Sequence, residues 1–236
     1  MKNHQKEEKH IGGLGTYIKD IVYGANDGTI TTFAVVTGAV GAGFSTTVII
    51  VLGFANLFAD GFSMAASNFL GTRSEDQLFR KEEEREIYEV ENLPDREKTE
   101  IREVFENFEF TKEDTEELVN LVSKNKHFWV DFMMRYELRM SIPDEGNEWK
   151  ASALTFISFV IAGSLPLMPF IIFEVNGSTF IYSIIATGLA LFIVGAARYF
   201  VTMKNWLVSG LEMLIVGGIA AGVSYCVGYL ISLFIQ

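Results

Sequence analysis

The chain has 236 residues, one cysteine and a formal net charge of −11, yet 49% of it is hydrophobic and 21% is charged. Those fractions do not describe one surface around one core: residues 72–150 hold 23 of the 30 acids and 13 of the 19 Lys and Arg, so 13 − 23 = −10 of the charge sits there. A lone Cys226 excludes a disulfide framework or a Cys-rich metal site, and the lack of a basic patch excludes a nucleic-acid partner.

In chain order, residues 1–19 are a polar arm with Lys2, Lys6, Lys9 and Lys19 and with Gly12, Gly13 and Gly15, and no cleavable signal peptide is expected there. Apolar segments follow at about 21–42, 46–70, 151–174, 178–197 and 206–235, each long enough to cross a bilayer as a helix. The expected fold is all-α, an integral membrane protein with five transmembrane helices and a helical soluble insert between helices 2 and 3. Its divisions are a cytosolic arm (1–19), helices 1 and 2 (20–71), an acidic helical metal-binding domain (72–148) and helices 3 to 5 (149–236). Gly41-Ala-Gly43 and Asn176-Gly177 predict turns without Lys or Arg. The bases lie in the arm, the insert and the connection from Arg198 to Lys204, so the positive-inside rule puts those three in the cytoplasm.

Polar residues inside the apolar runs are the candidates for a transport path. Asp20 stands at the edge of the first segment and Asp27 inside it, with Gly24 and Gly28 allowing close helix approach. In the second, Asn56, Asp60, Met64 and Asn68 recur every fourth residue and share one helix face. A carboxylate at that depth costs about 2.5–3.5 kcal/mol on insertion scales, so it faces a cavity, a partner or a substrate path. A hydrogen-bonded packing face is the alternative. Pro166 and Pro169 predict a kink in the third segment, whose freed carbonyls can line a path. The fifth opens with Glu212-Met213 and continues with Gly217, Gly218 and Gly222, a face suited to close packing or dimerisation.

The insert predicts helices at about 74–92, 94–108, 112–124 and 126–141, with Pro94 at a start, Thr111 as an N-cap and Pro143 marking an end. Glu86 and Glu89 are three apart, as are Glu97 and Glu100, and a hairpin at Pro94 brings the four together. Met133, Met134 and Glu137 follow within little more than a turn. Carboxylates joined by thioethers suit first-row divalent metals such as iron or manganese. A solvated acidic face and methionine core filler are the competing readings. Di-iron oxidase ligation is disfavoured, since the repeated Glu-x-x-His pattern is missing.

These residues resemble the vacuolar iron transporters. The likeness rests on Asp20-Ile-Val-Tyr-Gly-Ala-Asn-Asp27-Gly, on Ala59-Asp60-Gly-Phe-Ser-Met64-Ala-Ala, on Gly163-Ser-Leu-Pro166-Leu-Met-Pro169 and on Gly210-Leu-Glu212-Met. It implies a homodimer with the path at the subunit interface and exchange of protons for ferrous iron and other divalent ions. It also implies path roles for Asp27 and Met64, and metal ligation by Glu86, Glu89, Glu97, Glu100, Met133, Met134 and Glu137. The chain departs from the family at Asn56 and Asn68, where relatives often carry glutamate, and an amide does not carry a proton as a carboxylate does.

The expected activity is therefore export of ferrous iron, with manganese as a second substrate, in exchange for protons. Asp27, Asp60, Met64, Asn56 and Glu212 form the expected path, with no catalytic residues and no prosthetic group. Divalent metal, protons, lipid and a second copy are the expected partners. The membrane is the plasma membrane in a prokaryote and the vacuolar membrane in a eukaryote. A membrane-anchored metal sensor or buffer, or a membrane ferroxidase, are the rivals.

Overall fold

The computed structural model describes residues 17–143, 147–173, 178–199, 203 and 205–235, and it divides into two compact units. The expected polar arm through Thr16, the turn at Asn176-Gly177 and most of the connection from Arg198 to Lys204 lie outside the described residues.

One unit, Met1–Phe69 with Glu148–Gln236, holds helices α1 (Ile18–Gly41), the first half of α2 (Thr46–Asn92), α6 (Asn147–Ser164), α7 (Met168–Ile172), α8 (Thr179–Ala197) and α9 (Trp206–Ile235). Among the described residues α2, α8 and α9 are long and apolar enough to cross a membrane. The α1–α2 turn closes as the sequence predicts. Gly43 takes the left-handed backbone (φ 73°), its N–H bonds to Val40 O (3.0 Å), and the Phe44 N–H bonds to Ala39 O (3.0 Å), a Schellman end to α1.

Two boundaries differ from expectation. The second apolar segment and the first insert helix are one unbroken 47-residue helix. Gly71 alone is too weak a breaker, costing about 1 kcal/mol, and the Ser74 hydroxyl folds back onto Leu70 O (2.7 Å) without interrupting it. The third segment is not one kinked helix: α6 stops at Ser164, and α7 restarts with Pro169 in its first turn. The Pro166 carbonyl accepts a hydrogen bond from Ser183 Oγ on α8 (2.7 Å), so the break fastens two helices together.

The core of this unit is Phe33, Val36, Ala39, Ile49, Leu57, Phe159, Leu167 and Phe170. Glycine lets the backbones touch around it. A Cβ on Gly163 would stand 2.6 Å from Gly28 O and 2.6 Å from Leu57 Cδ1, so α1, α2 and α6 meet there with no room for a side chain. Gly163→Leu should therefore cost about 1–3 kcal/mol or more by overpacking. Gly218→Ala, with nothing within 4 Å of the added carbon, should cost nothing and gain up to about 1 kcal/mol of helix propensity. Thermal melts of the two variants in detergent check this, and equal melting temperatures would contradict it.

The other unit, Leu70–Asn147, contains the rest of α2, then α3 (Pro94–Asn107), α4 (Lys112–Ser123) and α5 (Lys126–Phe132), which continues into a π-helical turn at Met133–Glu137. Pro94 occupies the first turn of α3, as expected. Thr111 Oγ1 accepts the Asp114 N–H (3.2 Å) to cap α4, and Asn125 Oδ1 does the same for the Phe128 N–H (3.1 Å) at α5. The last insert helix stops short of the expected residue 141. It ends at Glu137, where the wider π turn closes and Arg139 adopts φ 54°. Phe79, Val90, Ile101, Phe105, Val119, Trp129 and Phe132 form the core, with Met133 and Met134 at 0% and 1% exposure.

Candidate metal-binding and transport sites

The carboxylate cluster follows from the turn between α2 and α3. Helix α2 ends at Asn92, Leu93 is the only link, and Pro94 starts α3, so the last turns of one helix face the first turns of the next. Glu86, Glu89 and Glu97 thereby present carboxylate oxygens that all lie within 4.8 Å of one another. Glu86 is 4% exposed and Glu97 0%, and no donor from the protein reaches Glu86 Oε2 or either oxygen of Glu97. Buried polar atoms are normally hydrogen-bonded, and these three are not.

Burial pushes the Glu86 carboxyl up to about 7, with Glu137, Glu89 and Glu100 adding repulsion and Arg85 opposing it. Burial likewise lifts Glu97 to about 8, followed by the charges of Glu100, Glu86 and Glu89. Glu137 is raised by burial and then by Glu100 and Glu89, so it belongs electrostatically to the same cluster.

Of the seven expected insert residues, then, three form the close group, and Glu100 and Glu137 act on it by charge. Met133 and Met134 are full members of the apolar core. Two arginines beside the cluster are additional to the expected residues. Arg85 Nε holds Glu89 at 3.2 Å and Arg96 Nε holds Glu100 at 3.0 Å. Their i,i+4 spacing is the signal that could have found them.

The polar stripe of α2 divides into parts. Asn56 Nδ2 donates to Asp60 Oδ2 (2.8 Å). Asn68 Nδ2 donates to Asp20 Oδ1 on α1 (2.8 Å) and to Thr155 Oγ1 on α6 (2.8 Å), so it ties three helices together. Met64 is partly buried against the apolar core. Asp27 is half-buried on α1 and within electrostatic reach of Asp60. Glu212 is exposed on α9, with Arg198 Nη1 at 3.6 Å.

Several known proteins are similar to this chain over most of its length. The chain is 32% identical to the vacuolar iron transporter of Plasmodium berghei (strain Anka), over 97% of this chain and 87% of that one. It is 31% identical to vacuolar iron transporter 1 of Arabidopsis thaliana (93% and 87%) and 33% identical to the vacuolar iron transporter of Plasmodium falciparum (isolate 3D7; 89% and 81%). The profile of the VIT family matches residues 18–229. A match of that extent, over both the apolar helices and the carboxylate cluster, settles the membership: the chain belongs to the VIT family, a family of transporters rather than enzymes.

Proposed function

We propose that the protein carries ferrous iron, and manganese as a second substrate, out of the cytoplasm in exchange for protons. The observation that carries this reading is the group Glu86, Glu89 and Glu97, where three buried carboxylate oxygens, one of Glu86 and both of Glu97, lack a protein donor. A divalent cation supplies what they lack, and a set of carboxylate oxygens suits hard divalent metals. The names of the relatives favour iron.

In this reading five helices cross the membrane. α1, α2, α8 and α9 are four of them, and α6 with α7 makes the fifth. Residues 72–148 form a cytosolic metal-binding domain, the N-terminus is cytosolic and two copies form the working dimer. Metal captured by Glu86, Glu89, Glu97 and Glu100, with Glu137, Met133 and Met134 beside them, passes to Asp27, Asp60 and Met64, with Asn56 and Glu212 tuning the path. Loading the cluster expels its protons, which is a physical basis for exchange.

Reconstitution into liposomes tests this. Ferrous iron and manganese should accumulate when an opposing proton gradient is imposed, and the lumen should change pH as metal moves. Absence of metal movement, or metal movement with no proton movement, would overturn the reading.

A further inference from the structure

Four arginines of the insert each hold a carboxylate: Arg80 with Asp76, Arg85 with Glu89, Arg96 with Glu100 and Arg102 with Glu116. Arg135 and Arg139 differ, since both are exposed and neither has a carboxylate partner among the described residues. Both line two adjoining clefts of about 410 and 570 Å³, which share Arg135, Tyr136 and Arg139 and have no acid among their described walls. The backbone brings the two cations to one place. Past the π-helical turn the Met140 N–H returns to Met134 O (2.9 Å), and the chain reverses at Arg139, with φ 54°. That left-handed backbone is unfavourable for any residue with a Cβ and open to glycine, yet arginine stands there. Beside the arginines lie two exposed rings. Tyr136 is 51% and Phe108 61% exposed, and they meet edge to face with centroids 6.2 Å apart. Phe132, in the core, backs the Tyr136 ring at 4.8 Å, and Asn107 adds an amide to the same wall.

We propose that this cleft binds a nucleoside diphosphate, with the phosphates on Arg135 and Arg139 and the base against Tyr136 and Phe108. Guanidinium forks take phosphate oxygens in pairs. Exposed aromatic faces take a base by stacking, and an asparagine amide matches the donor and acceptor of a base edge. Bare phosphate or a polycarboxylate has no use for the rings, and a nucleoside without phosphate has none for the arginines. The acids elsewhere on the insert repel anions, but salt screens them beyond about 8 Å, so the local pair of cations decides. Compensating the carbonyl end of the helix accounts for Arg135, in its last turn, and not for the rings or for Arg139 in a strained backbone. The inference concerns the insert unit alone and is independent of which ion is transported.

Calorimetric titration of the full chain in detergent, without divalent metal, tests it, with ADP, pyrophosphate, adenosine and citrate as probes. ADP should bind at least about tenfold more tightly than each of the other three. Arg139→Gly should weaken ADP at least about tenfold, with a melting temperature no lower than the parent's, because glycine suits φ 54°. Arg135→Gln should weaken ADP to a similar degree. Tyr136→Ala should weaken ADP and leave pyrophosphate unchanged, whereas Tyr136→Phe should keep ADP binding. No binding of ADP would overturn the proposal. Pyrophosphate or citrate bound as tightly as ADP would reduce the cleft to an anion site, and adenosine bound as tightly would reduce it to a stacking surface; each overturns it. So would undiminished ADP binding by Arg139→Gly. If Arg135→Gln does not fold, Arg139→Gly and the two Tyr136 variants decide the matter.

Discussion

Asp27→Asn should reduce metal flux in liposomes at least tenfold, a difference of about 1.4 kcal/mol, while metal binding by the full chain stays within about twofold. Asp27 is half-buried on α1, within electrostatic reach of Asp60 on α2. The amide is nearly the same size and still accepts a hydrogen bond, so the helix should pack unchanged. What is lost is one negative charge that, in the proposed path, would attract a divalent ion. Asp60 alone is a poorer stopping place, because Asn56 Nδ2 already occupies one of its oxygens at 2.8 Å. The check is metal uptake by reconstituted wild type and variant at equal protein incorporation, with binding measured on the same samples. Normal uptake by Asp27→Asn would remove α1 from the path.

Different parts of the chain were legible to different degrees. Helices α2, α8 and α9 declared themselves by length and apolarity, and the α1–α2 turn by Gly41-Ala-Gly43, because a left-handed residue at a helix end is a local requirement. The pairing of Glu86 and Glu89 with Glu97 followed from helical spacing on either side of Pro94. What the sequence concealed depends on contacts between distant residues. Nothing local says that Asn68 bonds Asp20 and Thr155 rather than lining a path with Asn56. Nor does periodicity show that the carbonyl freed at Pro166 is taken by Ser183. The continuity of α2 is hidden because the charge pattern changes sharply near Gly71 whereas the backbone preference does not. A change of solvent reads as a boundary in composition without being one in the chain.

Replacing Glu86, Glu89, Glu97 and Glu100 together with glutamine should abolish divalent metal binding and leave the apo protein at least as stable at pH 8. Both halves follow from the cluster's charge. With Glu86 at about 7 and Glu97 at about 8, the folded insert holds protons between roughly pH 4.5 and 8 that the unfolded chain has released. The folded state therefore binds more protons in that window, and stability falls as pH rises through it. From pH 6 to 8 the wild-type apo protein should lose on the order of 1–3 kcal/mol. Each proton held only by the folded state contributes about 1.36 kcal/mol per pH unit, and solvent screening reduces the sum. Metal reverses the trend. Each buried carboxyl must release its proton to become a ligand, so affinity for manganese should rise roughly 100-fold over the same interval, with protons released on binding. Glutamine removes the titration of these four and their mutual repulsion together, so the variant's stability should vary less with pH than the parent's, with Glu137 as the cluster carboxyl that remains. Its losses are the Arg85–Glu89 and Arg96–Glu100 pairs, whose guanidinium groups are exposed and whose i,i+4 contacts contribute little in water. Manganese titration by calorimetry in two buffers of different ionisation enthalpy measures affinity and proton release together, and melting curves at pH 6, 7 and 8 give the stability. Unaltered manganese affinity in the quadruple variant would remove these residues from the metal site. A wild-type apo protein that gains stability from pH 6 to 8 would mean that Glu86 and Glu97 are ionised in the fold, held by a partner other than metal.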